Sequence, residues 1–222
     1  MNILAFDTST EVFSICLKTD ENRYDFSSSR GFKHSETLVT EIDLFLKREN
    51  LSVPDLDLIV CSGGPGSFTG LRIGMATAKG LSLGSGVPMV TISTLDMIAY
   101  GLDYFEGIVV PLIDARKKRY YTAFFKNGEK ISDDLDLTTE DIIAKLKKYD
   151  KVLLTGPDTF DFSQLFELDS KFSVDVINKK SWAGNLIVQG IKKFQEFGPS
   201  TDSEGPLYLR RSEAEIGITR KP

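Results

Sequence analysis

Short apolar runs alternate with polar turns at the start of the chain. Residues 3–6 and 12–17 are apolar and flank the polar turn Asp7-Thr8-Ser9-Thr10, and a third run covers residues 24–27. Connections of this length leave no room for the crossover helix that parallel strands need. The pattern therefore predicts a hairpin or a three-stranded meander.

Helical spacing then replaces the alternation. Ser35 is a suitable N-cap, and the apolar stripe that follows it predicts a helix to about residue 48. A buried strand over residues 56–61 enters a glycine-rich stretch, which leads into a second helix to about residue 83. Residues 87–92 predict another strand, and a third helix follows it. The stripe of the first helix consists of Leu38, Ile42, Phe45 and Leu46.

The same order of elements recurs in the second half of the chain. The apolar run 108–113 ends at Asp114, as the first apolar run ends at Asp7. In each half there follow a second strand, a helix and a strand that enters a Gly-Pro pair, at Gly64 and at Gly156. The match predicts a structural duplication with two α/β lobes.

The duplication places a domain boundary between the two halves. Residues 1–103 form the predicted N-terminal lobe, and residues 104–222 form the C-terminal lobe. A further helix is predicted over residues 181–197, closed by Gly198-Pro199. The pattern leaves open whether this helix, or the tail after it, packs on its own lobe or returns to the first.

Composition and charge exclude several classes of protein. The net charge of −5, from 27 Lys and Arg against 32 Asp and Glu, argues against a stand-alone nucleic-acid-binding protein. His34 is the single histidine of the sequence, so no zinc site with several imidazole ligands can form. Cys16 and Cys61 lie in apolar runs, which predicts reduced core cysteines and a cytoplasmic protein. With no basic leader and no apolar run of membrane-spanning length, we expect neither a secretory signal nor a membrane partner.

The polar turns after the two Asp-ending strands point to nucleotide chemistry. Backbone N–H groups and hydroxyls in such a turn can bind phosphate, and the carboxylate can hold Mg²⁺ through water. A second interpretation stands equally: Asp and Thr cap a hairpin turn and bind nothing. The candidates for a weak or vestigial nucleotide site are Asp7, Thr8, Ser9, Gly64 and Asp114.

Glycine is densest between residues 63 and 86, where eight of the 18 glycines lie. The stretch lacks the Lys-Ser/Thr pair of a P-loop. Gly70, Gly74 and Ala78 recur at four-residue spacing in the predicted helix, with Ala76 and Gly80 nearby, and a helical glycine costs about 1 kcal/mol relative to alanine. Such a stripe indicates a close approach by another element. That element is either the chain's own sheet or a second subunit.

Two further features have competing interpretations. The basic run Arg116-Lys117-Lys118-Arg119 follows Asp114 and could contact phosphate or RNA, although a charged turn is more often only solvated. His34 precedes a predicted helix, where it marks a helix start or, as the minority hypothesis, a catalytic group.

Several motifs together closely resemble the TsaB (YeaZ) family. The run over residues 64–74 is the most specific of them, while residues 126–205 match only loosely. The resemblance implies a two-lobed fold of the actin/Hsp70/sugar-kinase (ASKHA) superfamily, in which each lobe has a mixed sheet and flanking helices. The matching motifs are residues 3–10, His34-Ser35-Glu36, residues 64–74, residues 78–81, Asp114-Ala115-Arg116 and Tyr208-Leu209-Arg210.

The resemblance also implies a function. Members of the family are non-catalytic dimerisation subunits of the complex that transfers a threonylcarbamoyl group from its adenylate to N6 of adenosine at tRNA position 37. The implied partners are a TsaD-type transferase and a TsaE-type ATPase, with tRNA reached through the complex. The resemblance leaves open whether the chain alone is a homodimer or a monomer. ATP, ADP and a metal would then belong to the partner subunits, so we expect no cofactor in this chain.

The resemblance places the partner interface on helices of the first lobe. Small residues there would let a partner helix approach closely, which agrees with one interpretation of the glycine stripe. The implied interface residues are Leu38, Ile42, Gly70, Leu71, Ile73, Gly74 and Ala78.

One departure separates the chain from the catalytic paralogue. That relative has a His-x-x-x-His metal pair after the strand that follows its glycine helix, and the equivalent positions here are Thr94 and Ile98. We therefore expect no metal site and no metallopeptidase activity. The alternative hypothesis is a small-metabolite kinase of the same superfamily, with Asp7 holding Mg²⁺ and Asp114 as the base.

Overall fold

Two mixed β-sheets with the same strand order form the framework of the chain. The computed structural model describes residues 1–29, 34–165, 169–175 and 181–210. The first sheet consists of β1 (Ile3–Asp7), β2 (Phe13–Lys18), β3 (Arg23–Ser28), β4 (Leu58–Gly64) and β5 (Met89–Ser93). Its order is β3-β2-β1-β4-β5. The first three strands form an antiparallel meander, as predicted, and β4 is parallel to both β1 and β5.

The second sheet repeats this arrangement. It consists of β6 (Ile108–Asp114), β7 (Arg119–Thr122), β8 (Phe125–Lys126), β9 (Glu129–Lys130), β10 (Leu135–Thr138), β11 (Val152–Thr155) and β12 (Phe172–Val174). The order β10-β7-β6-β11-β12 matches that of the first sheet, and the small hairpin of β8 and β9 is attached to β6. In both sheets the central strand ends in aspartate. This repetition confirms the predicted duplication and the predicted two α/β lobes, each with a mixed sheet and flanking helices.

Six helices cover the sheets in the described part of the chain. They are α1 (His34–Arg48), α2 (Phe68–Ser85), α3 (Thr94–Ala99), α4 (Thr139–Leu146), α5 (Thr159–Ser163) and α6 (Ala183–Phe197), with a 3₁₀ turn at Val53–Asp55. Helix α1 begins at His34, so Ser35 lies inside its first turn and is not the predicted N-cap. Helix α2 begins after Ser67, whose hydroxyl accepts a hydrogen bond from the Gly70 N–H at 3.3 Å, and it ends at Gly86 in the left-handed conformation.

Strand β1 is buried on both faces because different helices cover each side of the first sheet. Helices α1 and α2 pack on one face, where Leu38 and Met75 meet Phe6 and Ile59 in one core. On the other face, α3 and α6 pack between the two sheets. Burial on both sides explains why the sequence of β1 is a continuous apolar run and not an alternating one.

Helix α6 returns to the first lobe, which answers the question that the sequence left open. It contacts β1, β2, β4 and β5 and also α3. A Cβ on Gly190 would lie 2.5 Å from Val60 Cγ2, so the α6 backbone sits directly on β4. Leu186 of α6 belongs to a core that also contains Ile3 of the first sheet and Val109 of the second. The two lobes therefore share one hydrophobic core.

The second sheet has a separate core on its outer face. Val110 and Leu112 of β6 pack there against Ile142 of α4 and Phe162 of α5. All strands of the first sheet precede α3, and all strands of the second follow residue 107. The division of the chain at residue 104 agrees with this order, although α6 crosses it, and the boundary itself stays a prediction.

Candidate functional site

A cleft of about 350 Å³ opens between the turn after β1 and the turn after β6. The first lobe contributes the β1–β2 turn and the start of α2, and the second contributes the β6–β7 turn and the start of α5. Its walls include Ser9, Glu11, Phe68, Asp114, Arg116 and Asp158. The carboxyl ends of the two central strands therefore point to the same cavity, where a ligand of an α/β sheet ordinarily binds.

Asp7 is fully buried and lies behind the wall of this cleft. Its Oδ1 accepts hydrogen bonds from the Ser9 backbone N–H at 2.9 Å, from Ser9 Oγ at 2.6 Å and from Ser62 Oγ at 2.5 Å. The carboxylate thus joins the β1–β2 turn to β4. Of the predicted turn residues, the structure brings Ser9 into the cleft wall and leaves Asp7 behind it.

Thr8 and the glycines of α2 form a close backbone contact. Thr8 Oγ1 donates to the Gly70 carbonyl at 2.8 Å. A Cβ on Gly70 would lie 1.8 Å from the Thr8 carbonyl oxygen, and one on Gly74 would lie 2.4 Å from Thr8 Oγ1. Real Cβ contacts are never this short, so only glycine allows α2 to lie against the turn. The structure decides between the two interpretations at these positions, because the chain's own turn makes the close approach.

Gly64 is covered by the C-terminal part of the chain. It adopts φ of +106°, and a Cβ there would lie 2.6 Å from the Leu207 carbonyl oxygen. Gly156 is its counterpart in the second lobe, with φ of +109° and Leu112 as the blocking carbonyl. Both glycines serve the backbone geometry at a strand end. Gly64 does not line the cleft, so it is not available to a nucleotide there.

The turn of the second lobe has a different construction. Asp114 Oδ1 accepts a hydrogen bond from the Arg116 backbone N–H at 2.7 Å, and Arg116 Nη1 lies 3.2 Å from Oδ2. Arg116 Nη2 reaches across the cleft to 3.7 Å from Glu11 Oε1. Arg116, Lys117 and Lys118 all adopt positive φ. The basic run is therefore an exposed turn whose first arginine spans the cleft mouth, and no RNA contact is needed to explain it.

Asp158 is the most perturbed acid of the cleft. Burial raises its pKa to about 6, and the charges of Asp114, Glu11 and Asp161 act in the same direction. The Asp114 backbone N–H donates to Asp158 Oδ2 at 2.7 Å, which opposes the rise. A carboxyl group that titrates near neutrality lies where a ligand or a partner would change its protonation. The sequence offered no signal for this residue.

Comparison with known proteins assigns the chain to a family. The family model "TsaD: tRNA N6-adenosine threonylcarbamoyltransferase" matches residues 29–198. The tRNA threonylcarbamoyladenosine biosynthesis protein TsaB of Bacillus subtilis is 31% identical over 97% of this chain and 96% of its own length. The chain belongs to the TsaB family.

Further relatives agree with this assignment. The TsaB protein of Escherichia coli is 35% identical over 58% of this chain and 57% of its own length. The solved structure of YeaZ from Pseudomonas aeruginosa superposes with a TM-score of 0.78, at 22% identity, over 94% of this chain and 99% of that one. The resemblance seen in the motifs is therefore confirmed for the family, and the YeaZ structure confirms the fold.

In this chain, the two positions that by resemblance correspond to the metal-binding histidines of the transferase are buried inside the protein. Thr94 and Ile98 lie on α3 and are buried, with Ile98 in the core shared by the lobes. Within residues 1–29, 34–165, 169–175 and 181–210, no three His, Cys, Asp or Glu side chains come together as a metal site. None of the helices in those ranges is long and apolar enough to cross a bilayer.

The predicted interface residues require a correction, because most of them are buried within the chain. Leu38 and Ile42 belong to the core beneath α1 and α2, Leu71 is also buried, and Ile73 alone is partly exposed. Gly70, Gly74 and Ala78 also face inward. These side chains cannot form the contact surface themselves, since the stripe that they form faces the sheet and the β1–β2 turn. They hold α1 and α2 in place.

The outward faces of the same two helices carry a different set of apolar and small residues. A Cβ on Gly80 or Gly84 would meet nothing within 4 Å, and Leu83 between them is 72% exposed. The sequence contains this second stripe at the same four-residue spacing, and the choice between the two stripes depends on which side meets the sheet. The exposed set is Val39, Leu44, Ala76, Gly80, Leu83 and Gly84.

Proposed function

We propose that this chain is a non-catalytic scaffold subunit of the complex that attaches threonylcarbamoyl to N6 of adenosine 37 in tRNA. It pairs with a TsaD-type transferase, and a TsaE-type ATPase joins the pair. The family membership and the burial of Thr94 and Ile98 support this assignment. Nucleotide and metal belong to the partners, and tRNA is reached through the assembled complex.

The burial of the Asp7 carboxylate is the observation that supports the non-catalytic role most directly. The carboxylate accepts three hydrogen bonds from the chain's own serines. A magnesium ligand has to face the cleft, where the phosphates would lie. In this chain the equivalent group has become part of the packing between β1, β4 and the β1–β2 turn.

The exposed faces of α1 and α2 are the partner surface in this proposal. Gly80 and Gly84 leave the backbone of α2 uncovered, which would let a partner helix approach more closely than larger side chains allow. Val39, Leu44 and Leu83 add exposed apolar area on the same two helices. Exposed apolar residues of this kind are typical of protein–protein contacts.

Gly80→Arg tests the partner surface, with Gly80→Ala as its matched control. Both substitutions point into open space and replace a helical glycine by a better helix former, so both variants should fold. The arginine should weaken binding to the transferase at least about tenfold, because a bulky charge at the centre of an interface is not desolvated. Light scattering after size exclusion measures assembly, and mass spectrometry of tRNA nucleosides measures threonylcarbamoyladenosine. Full assembly and modification with Gly80→Arg would contradict this surface.

The small-metabolite kinase remains the second candidate, since Ser9 and Asp114 do line the cleft. The magnesium role predicted for Asp7 counts against the kinase, because Asp7 is buried and does not line the cleft. Calorimetry of the isolated chain with ATP and Mg²⁺ separates the two functions. We expect no micromolar binding. Micromolar affinity together with phosphoryl transfer to a metabolite would overturn the scaffold assignment in favour of the kinase.

A further inference from the structure

The chain continues beyond α6 as a segment without helix or strand, residues 199–210, which we call the strap. It contains the motif Tyr208-Leu209-Arg210, which the scaffold role does not explain, and Arg210 itself lines the cleft. The strap runs over the ends of β5 and β4 and then crosses to the second lobe. Its contacts divide sharply between the two lobes.

Most anchors of the strap lie on the first lobe. The Ser200 N–H donates to the Met89 carbonyl at 2.8 Å, and the Leu207 N–H donates to the Gly63 carbonyl at 2.7 Å. Lys79 Nζ donates to the Asp202 carbonyl at 2.6 Å. These bonds spread over β4, β5 and α2, so the strap is fixed to the first lobe along nearly its whole length.

Tyr208 extends this attachment to the cleft wall. Its ring stacks on that of Phe68, with centroids 4.6 Å apart and planes at 18°. Arg72 Nε donates to Tyr208 Oη at 3.1 Å. Phe68 is itself part of the wall, at the start of α2. The strap therefore holds the first-lobe side of the cleft.

Arg210 is the one strap residue with hydrogen bonds to the second lobe among the residues that the structure describes. Its Nε donates to Asp136 Oδ2 at 2.5 Å, and its Nη1 donates to the Ala115 carbonyl at 3.0 Å. Asp136 is 13% exposed and also accepts from Arg119 Nε at 2.8 Å. Charge-assisted bonds to a mostly buried carboxylate are stronger than surface ion pairs. Ala115 belongs to the second-lobe wall of the cleft.

We propose that the strap is a latch that fixes the width of the cleft, with Arg210 as its tie to the second lobe. Two residue steps separate Tyr208 from Arg210, which limits the distance between their Cα atoms to about 7 Å. Leu209 between them packs on the core that the lobes share. The walls at Phe68 and Ala115 cannot move apart unless one of these anchors breaks. This inference concerns the chain alone and does not depend on the proposed function.

Spin labels across the cleft test the latch. Cysteines introduced at the exposed positions Thr69 and Glu140 place one label on each lobe. The native thiols of Cys16 and Cys61 are buried and have pKa values raised to about 12, mainly by burial, so they should not take up label. Double electron–electron resonance then gives the distribution of distances between the lobes. We expect a single narrow distance in the doubly labelled parent.

Arg210→Ala should broaden that distribution about twofold, because the walls lose their buried charged tie and can separate by a hinge motion about the core that the lobes share. Asp136→Asn removes the charge and leaves one acceptor oxygen for both Arg119 and Arg210, so it weakens the same tie from the opposite side and should broaden the distribution too. A second variant guards against a folding defect in the first. Lys79→Ala is the matched control, since it removes a strap contact inside the first lobe only. Unchanged narrow distances in both Arg210→Ala and Asp136→Asn, or equal broadening in Lys79→Ala, would overturn the latch.

Discussion

The turns after β1 and β6 occupy equivalent places in two sheets of the same strand order, yet they are built from different interactions. In the first lobe, Asp7 is fully buried and accepts hydrogen bonds from Ser9 and from Ser62 of the neighbouring strand. In the second, Asp114 is partly exposed and is bound by Arg116 of its own turn. Both turns line the cleft, but the aspartate of the first turn is packed inside its lobe and the aspartate of the second lies in the cleft wall.

The elements that cover the two turns explain the difference. The glycines of α2 let a helix backbone lie directly on the first turn, which buries Asp7, Thr8 and Ser9. No helix of the described chain lies in the same way on the second turn, whose residues 116–118 are exposed. Asp7 and Asp114 therefore occupy equivalent positions in the two sheets but differ in burial and in hydrogen-bond partners.

We expect the greatest loss of stability from a substitution that breaks the contact between α2 and the first turn. Gly70→Ala would place a Cβ 1.8 Å from the Thr8 carbonyl oxygen, so the helix or the turn must shift. We expect a loss of about 4 kcal/mol or more in the free energy of unfolding, or no folded protein. Gly80→Ala on the same helix is the control and should stabilise by up to about 1 kcal/mol. Urea titration followed by circular dichroism measures both, and equal effects of the two would refute the packing role.

Substituting alanine for each aspartate measures how much each turn depends on its carboxylate. Asp7→Ala leaves the buried donors of Ser9 and Ser62 without their acceptor, so we expect a loss of about 2–3 kcal/mol in unfolding free energy. Asp114→Ala removes a half-exposed ion pair and should cost less than about 1 kcal/mol. Denaturant midpoints at one pH check the difference. A larger loss of unfolding free energy from Asp114→Ala than from Asp7→Ala would mean that the packing depends on the second turn and not on the first.

The smallest change in stability that we expect comes from Asp158, which lies next to the second turn. The pKa of Asp158 is raised to about 6 mainly by burial, above its ordinary value of 3.8, so the folded chain binds this proton more tightly than the unfolded chain. Its contribution to stability therefore falls as the pH rises from about 4 to about 6 and stays reduced above that. Asp158→Asn should stabilise the chain by about 1–2 kcal/mol at pH 7.5 and by little near pH 4.

The control for this titration is Asp161→Asn, which removes a nearby charge at an exposed position. Thermal unfolding of the three proteins across pH 4 to pH 8 separates the contributions. A flat difference between Asp158→Asn and the parent over this range would contradict the raised pKa of Asp158.

The strands, the duplication and the family could be predicted from the sequence because each is encoded locally. Apolar runs ending at Asp7 and Asp114 mark the two central strands, and the motif over residues 64–74 marks the family. The glycine spacing also showed that something approaches α2 closely. It could not show that Thr8 is the neighbour, because Thr8 is far away along the chain and is brought there by the pairing of β1 with β4.

The site was harder to predict for the same reason. Asp7 and Asp114 have similar sequence surroundings, and their burial depends on Ser62 and on α2, which no local pattern connects to them. Asp158 acquires its pKa only from burial in the folded cleft. The strap has no periodicity, so its crossing from Gly63 to Asp136 became visible only in three dimensions.

Helix α6 has a consequence for how the chain is made. One face of the first sheet is covered only when Leu186 and its neighbours in α6 have been made, after all the strands of the second sheet. Until the ribosome has released that helix, the apolar side of the first sheet is open to water and to other nascent chains. The first sheet therefore cannot finish folding before the second sheet has been synthesised, because α6 follows it in the chain.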